Sequence, residues 1–197
     1  MLYKISKYSG PGLLTLLFCV SVFFFIDKIT TLSIRRAAPP TESEAVKPIP
    51  FLASADHLDA LAAQYLDRTP PHLDLALDAT HQSIAINPRI ISNWNRLAYI
   101  DVARDGLISQ DGIDALNQSF FLSPYGDPDV MQWRLEVINA YWYHLPQDIR
   151  EAGLRQITAL YNYSERTKGW LRRFRRDARP HITERINSVF GYGNQAS

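Results

Sequence analysis

The sequence predicts an all-α protein with about three antiparallel helical hairpins, capping helices at the C-terminal end and one transmembrane helix in front. The first observation is a repeated phrase, D-A-x-x-Q-S-x-x-[IL]-x-P, which occurs at 78–88 and again 36 residues later at 114–124. A period of this length, closed by proline, is typical of stacked helical hairpins. The second is that apolar residues recur at helical spacing from residue 55 to residue 190. The third is an apolar run near the N-terminus.

The composition is that of a folded chain with one domain and appendages. Of 197 residues, 46% are hydrophobic and 21% are charged, which argues against disorder. The formal net charge of +1 implies no global field. The single cysteine, Cys19, lies in the apolar run, so the remainder of the chain has neither a disulfide nor a cysteine metal site.

The N-terminal segment predicts a membrane anchor. Residues 1–12 form a short basic tail, and residues 13–26 (LLTLLFCVSVFFFI) are almost wholly apolar. Fourteen residues are fewer than the roughly 20 that a bilayer span needs, but the span extends to residue 32 if Asp27 and Lys28 reach for headgroups. We therefore expect an uncleaved signal anchor over residues 13–32. The alternative is a removed signal peptide, for which the run has the right length, although no A-x-A cleavage site follows it.

The anchor and the linker together place the body outside the cytoplasm. The short basic tail favours a cytoplasmic N-terminus, which puts the C-terminal body of a bacterial inner-membrane protein in the periplasm. Residues 33–54 include four prolines and predict an extended linker that holds the body off the membrane. In an alternative arrangement, Ile49, Phe51 and Leu52 pack back on the first helix.

One helical-repeat domain is expected over residues 55–190, followed by a disordered tail at 191–197. Ser54, Ser109 and Ser164 are placed to cap helices, and prolines end or begin several of them. Helices are predicted over 55–68, 71–86, 89–104, 110–122, 128–144, 146–162 and 164–177, with a short last helix after Pro180. Within them, Ile86 is expected on a buried face. The helix over 128–144 carries two apolar stripes, which predicts a central position.

The middle of this domain resembles the tetratricopeptide repeat (TPR). The resemblance rests on Trp94, Leu97 and Ala98 early in one helix, on the closing Pro88 and on Ala76 twelve residues before it. It covers about residues 71–145 and implies helical hairpins that present a groove to a protein partner. In that groove the resemblance places three residues of one helix: Ser92, Asn95 and Tyr99. Asp101 departs from the family pattern, because it stands where an aromatic residue is usual.

Two further features point to binding rather than to packing. Tyr143 and Tyr163 fit the apolar stripes poorly and are candidates for an interface, where tyrosine is enriched. On the basic helix, Trp170, Leu171 and Phe174 point to one side, and arginines cover the remainder: Arg172, Arg173, Arg175 and Arg176. This helix is either a charged cap that keeps the stack soluble or a site for an acidic protein, a lipid headgroup or a polyanionic glycan. Nucleic acid is not expected for a body that has crossed a membrane.

No catalytic pattern is present. No two of the five histidines are an i, i+4 pair, and the chain has no HExxH, GxSxG, GxGxxG or phosphate-loop motif. We expect no enzymatic activity, no cofactor, no metal and no small-molecule ligand. The expected function is that of a membrane-anchored scaffold or adaptor for a protein partner in the cell envelope, within an envelope or polysaccharide assembly machine. The alternatives are a small accessory subunit of an integral membrane complex and a polyanion-binding module.

Overall fold

The protein is all-α over the residues that the computed structural model describes, which are 21–22, 25–35 and 53–192. Three predictions lie wholly or largely outside these ranges: the basic tail at 1–12, the linker at 33–54 and the tail at 191–197. Half of the predicted anchor at 13–32 lies outside them as well. None of the helices in the described ranges combines the length and the apolar character that a bilayer span requires.

The helices follow the chain in the predicted order. Residues 25–35 form α1. The others are α2 (Ala55–Leu66), α3 (Leu73–Ile86), α4 (Ile91–Asp105), α5 (Gln110–Leu122), α6 (Pro128–Tyr141), α7 (Gln147–Tyr163), α8 (Glu165–Phe174) and α9 (Pro180–Phe190). The all-α class is confirmed over these ranges. The main differences in length are that α6 and α8 each end three residues before their predicted ends.

The chain divides into two compact units, one within residues 1–88 and one within residues 89–197. In the first unit α2 packs against α3. The Ser83 hydroxyl donates to the Ala55 carbonyl oxygen over 2.8 Å, so the end of α3 lies beside the start of α2 and the two helices run antiparallel. Leu58, Leu61 and Tyr65 of α2 are buried.

Ile86 is not buried, and that prediction was wrong. Its side chain is 58% exposed. Because Ser83 already lies level with the first residue of α2, Ile86 is about one turn beyond the start of that helix. The helical spacing of apolar residues continues to the end of α3, but α2 has no residue opposite the last turn of α3.

In the second unit, α4 packs against α5, and α7 packs against α5, α6, α8 and α9. The core that these helices share includes Leu116, Leu135, Ile138, Ile149, Ile157, Leu160, Leu171, Ile182 and Ile186. Helix α7 therefore occupies the central position. The prediction that the helix over 128–144 is central was wrong. On α6, Met131, Leu135 and Ile138 are fully buried, whereas Trp133 and Val137 are only half-buried.

Candidate functional site

The predicted groove residues of α4 have different surroundings. The Ser119 hydroxyl of α5 donates a hydrogen bond to Oδ1 of Asn95, so Asn95 joins two helices of the unit. Ser92 is half-buried, and Tyr99 is 41% exposed. Of the three, Tyr99 is the side chain whose exposure suits an interface.

Tyr163 lies at a small cleft where α7 ends and α8 begins. The cleft has a volume of about 180 Å³, and the Tyr163 side chain is 62% exposed. Its lining residues are Asp127, Pro128, Asp129, Gln132, Tyr163, Ser164, Arg166 and Thr167. The starts of α6 and α8 therefore form its walls.

Three polar side chains of the cleft are occupied by helix capping. The Asp127 carboxylate accepts from the Asp129 backbone N–H over 2.9 Å. Ser164 and Thr167 form a capping box at the start of α8. The two carboxylates of the cleft, Asp127 and Asp129, are exposed.

Tyr143 and Tyr163 lie near opposite ends of α7. Tyr143 is 71% exposed, and the Arg179 guanidinium carbon lies 4.8 Å from its ring centroid. Arg179 is held in turn by the Asn139 carbonyl oxygen, to which its Nε donates over 2.7 Å. Tyr143 precedes the first residue of α7 and Tyr163 is its last, so the 17 residues of that helix separate them by roughly 25 Å. The two tyrosines do not form one site.

Two of the four candidate arginines in and just after α8 are held by residues at and just after the end of α9. The guanidinium carbon of Arg172 lies 5.4 Å from the Phe190 ring centroid. Arg175 lies 4.9 Å from the Tyr192 ring centroid and donates to Asn187 Oδ1 over 2.8 Å. These contacts fix both side chains on the unit itself.

Arg173 and Arg176 are exposed, and within the described ranges their guanidinium groups have no hydrogen bond or ion pair. On the opposite side of α8, Leu171 is buried and Trp170 stacks on Phe174 with ring centroids 4.6 Å apart. The predicted division of this helix into an apolar face and a basic face is therefore present.

A buried charge that the sequence reasoning missed lies between α5 and α6. The Arg134 side chain is fully buried. Its Nη2 donates to the Ser119 carbonyl oxygen over 2.6 Å, and its Nη1 donates to the Ser123 carbonyl oxygen over 2.7 Å. Burial lowers the pKa of Arg134 to about 10, so the guanidinium stays protonated at neutral pH. It caps the last carbonyls of α5, which is a structural role. The available signal was its place between Met131 and Ile138 on a buried stripe.

A group of exposed aromatic residues was also missed. Phe121 in the last turn of α5 is 78% exposed, and Tyr125 just after that helix is 61% exposed. They lie at the end of the unit where α5 ends, α6 begins and α7 ends, which is the end that carries Tyr163. We call Phe121, Tyr125 and Tyr163 the aromatic end. The signal in the sequence is that Phe121 occupies the position of Ala85 in the first copy of the phrase, and Ala85 is exposed as well.

The described ranges contain no cluster of three or more His, Cys, Asp or Glu side chains that could hold a metal ion. No family model, curated protein or solved structure matches this chain.

Proposed function

We propose that this protein is a membrane-anchored, non-enzymatic scaffold of the bacterial cell envelope whose helical body binds a protein partner. The observation that carries the proposal is the aromatic end. Its three side chains are each more than 60% exposed on a unit with a well-packed core. Aromatic residues are enriched at protein interfaces, where they bury a large apolar area at a low cost in conformational entropy.

The body is proposed to consist of TPR-like hairpins. Support comes from the repeated phrase, because its serine has the same role in both copies. Ser83 donates to α2 and Ser119 donates to α4, so each serine binds the preceding helix of its pair. A function shared by two copies of one phrase favours a repeated hairpin over a chance match.

The location follows from the apolar N-terminal run. We place the N-terminus in the cytoplasm, the anchor in the inner membrane and the body in the periplasm, within an envelope or polysaccharide assembly machine. Protease treatment of spheroplasts tests the orientation, since a periplasmic body is cleaved without lysis of the inner membrane.

Site-specific photo-crosslinking tests the scaffold function. A photoreactive phenylalanine replaces Tyr163 or Phe121 in the full chain in growing cells, and the matched control replaces Asp111, an exposed residue at the opposite end of α5. We expect a cross-linked product of one defined mass from the aromatic end and none from position 111. Equal products at all three positions, or no product at any, would contradict the proposal.

Binding of a polyanion is the second candidate function, and the exposure of Arg173 and Arg176 favours it. The chain offers a control that is matched in charge, because Arg172 and Arg175 are held by aromatic rings and by Asn187. We expect the R173Q/R176Q variant to elute from a sulfated glycan matrix at lower salt than the R172Q/R175Q variant. Equal elution of the two variants would mean a general charge effect and would favour the capping role of α8.

A further inference from the structure

The helix α1 has its apolar side outside and its polar side inside. Phe25, Ile26, Ile29 and Leu32 lie on one face and are between 44% and 67% exposed. Thr31, on the opposite face, is 2% exposed. This is the reverse of the arrangement in a helix that packs on a soluble core.

The polar face of α1 is already occupied by α2. Lys28 Nζ lies 2.8 Å from the Asp56 carboxylate, and Arg35 Nη2 lies 3.0 Å from that of Asp59. Asp27 accepts a hydrogen bond from the Ser54 backbone N–H over 3.3 Å. Asp27 and Lys28, which the sequence assigned to lipid headgroups, thus contact the protein itself. Because α1 cannot turn its apolar face toward α2 without breaking these contacts, another component must cover that face.

The length of the apolar run indicates what that component is. The apolar run at 13–26 has 14 residues, about six fewer than the roughly 20 that a bilayer span needs. Residues 27–32 supply six more, which makes up the difference. On that added stretch only the face of Ile29 and Leu32 is apolar, and the other face is bound to α2.

We propose that the exposed apolar face of α1 contacts the acyl chains of the membrane while its polar face holds α2 at the bilayer surface. This inference rests on the proposed membrane anchor. It differs from the linker arrangement in one respect. Lys28 and Arg35 contact α2 directly, so the length of the segment between α1 and α2 does not set the distance from the bilayer to α2. The contacts between α1 and α2 therefore hold α2 at the end of the anchor.

Depth-dependent quenching tests the proposal. The full chain with Cys19→Ser is reconstituted in vesicles of phosphatidylethanolamine and phosphatidylglycerol. An environment-sensitive fluorophore is attached at Ile29→Cys, at Leu32→Cys or, as the control, at Ala85→Cys, an exposed small residue of α3. We expect acyl-chain spin-labelled lipid to quench the label at positions 29 and 32 at least about twofold more than at position 85, as lipid burial of an apolar helix face requires. Aqueous iodide should show the opposite order.

Three results would overturn the proposal. Iodide quenching at Ile29 equal to that at Ala85 would mean that the face meets water. Disulfide formation between two Ile29→Cys chains, without lipid quenching, would mean that a second copy covers it. Intramolecular cross-linking of Ile29→Cys to Phe51→Cys, again without lipid quenching, would mean that the chain covers it.

Alkaline carbonate extraction of the same samples separates this inference from the proposed function. A chain that stays with the membrane but has a water-exposed label at Ile29 disproves only the lipid contact of α1. A chain released into the supernatant disproves the anchor and the lipid contact together.

Discussion

At the scale of single residues, the second unit depends on an arginine that has no carboxylate partner within the described ranges. Arg134 satisfies the carbonyl oxygens of Ser119 and Ser123 at the end of α5, and its guanidinium carbon lies 4.5 Å from the Phe120 ring centroid. Desolvation of the charge opposes folding, whereas the hydrogen bonds and the filled volume favour it. For a side chain of this size, removing its volume and its hydrogen-bond donors costs more folding free energy than is regained when the charge is no longer buried.

Replacing Arg134 with alanine should therefore destabilise the second unit, by about 3 kcal/mol. Arg134→Met should recover roughly half of that loss, because it fills the volume but donates no hydrogen bond. All four tryptophans, at positions 94, 133, 142 and 170, lie in this unit, so urea unfolding followed by tryptophan fluorescence reports on it. The control is Arg173→Ala, an exposed arginine that should change stability by less than about 0.5 kcal/mol. Equal stability of R134A and R173A would show that the cap contributes nothing.

Asp101 shows how a departure from a family pattern can have a local cause. Its carboxylate accepts from the Ser109 backbone N–H and from the Ser109 hydroxyl, both over 2.7 Å. Ser109 is in turn the N-cap of α5, where its hydroxyl accepts from the Gly112 N–H. A side chain at Gly112 would overlap the Asp101 carboxylate. The sequence predicted the cap at Ser109. The contact of Asp101 with Ser109 could not be predicted in the same way, because it depends on the turn of the chain between α4 and α5.

At the scale of helices, local sequence signals were sufficient to predict where helices begin and end. They were insufficient to predict which helices pack against each other. Ser109 and Ser164 cap α5 and α8 as predicted, and α5 spans the predicted residues 110–122. A capping signal depends only on residues within one helical turn of each other. Which helix becomes central depends on contacts between segments far apart in sequence, and apolar content alone pointed to α6 instead of α7.

The close approach of α6 and α7 depends on Gly153, which is buried against Ile138. A Cβ at position 153 would overlap Cδ1 of Ile138. We expect Gly153→Ala to destabilise the second unit by about 1–3 kcal/mol from overpacking, less the helix-propensity gain of up to about 1 kcal/mol. Ile138→Val removes the overlapping methyl group, so the double variant should lose less stability than the sum of the single variants. Tryptophan fluorescence in urea measures all three, and additive losses would contradict the proposed contact.

At the scale of the whole molecule, the sequence predicted which side chains are exposed better than it predicted which act together. Tyr143 and Tyr163 are exposed as their poor fit to the apolar stripes suggested, yet α7 keeps them apart. Tyr163 instead shares its end of the unit with Phe121 and Tyr125. Asn95 shares a face of α4 with Tyr99 by helical spacing, but α5 binds it. Proximity of this kind is set by the order and direction of the helices, which a single-helix pattern does not contain.

The contact between α1 and α2 should depend on pH. The hydrogen bond from Lys28 holds the pKa of Asp56 below its ordinary value of 3.8. A carboxylate with a lowered folded pKa contributes stability above its ordinary value and loses that contribution as pH falls through the folded pKa. The docking of α1 on α2 should therefore weaken below about pH 4, by less than about 1 kcal/mol from this exposed pair.

Spin labels at Ser33 of α1 and Asp67 after α2, in a Cys19→Ser background, measure this docking in bilayers. We expect the distance distribution between the labels to broaden as the pH is lowered from 6 to 3. Asp27 and Asp59 face the same contact, so the informative quantity is the pH response of the original chain minus that of Asp56→Asn. That variant lacks the titrating carboxylate and should start broader and change less with pH. If both chains broaden by the same amount, the Lys28–Asp56 pair does not hold α1 on α2.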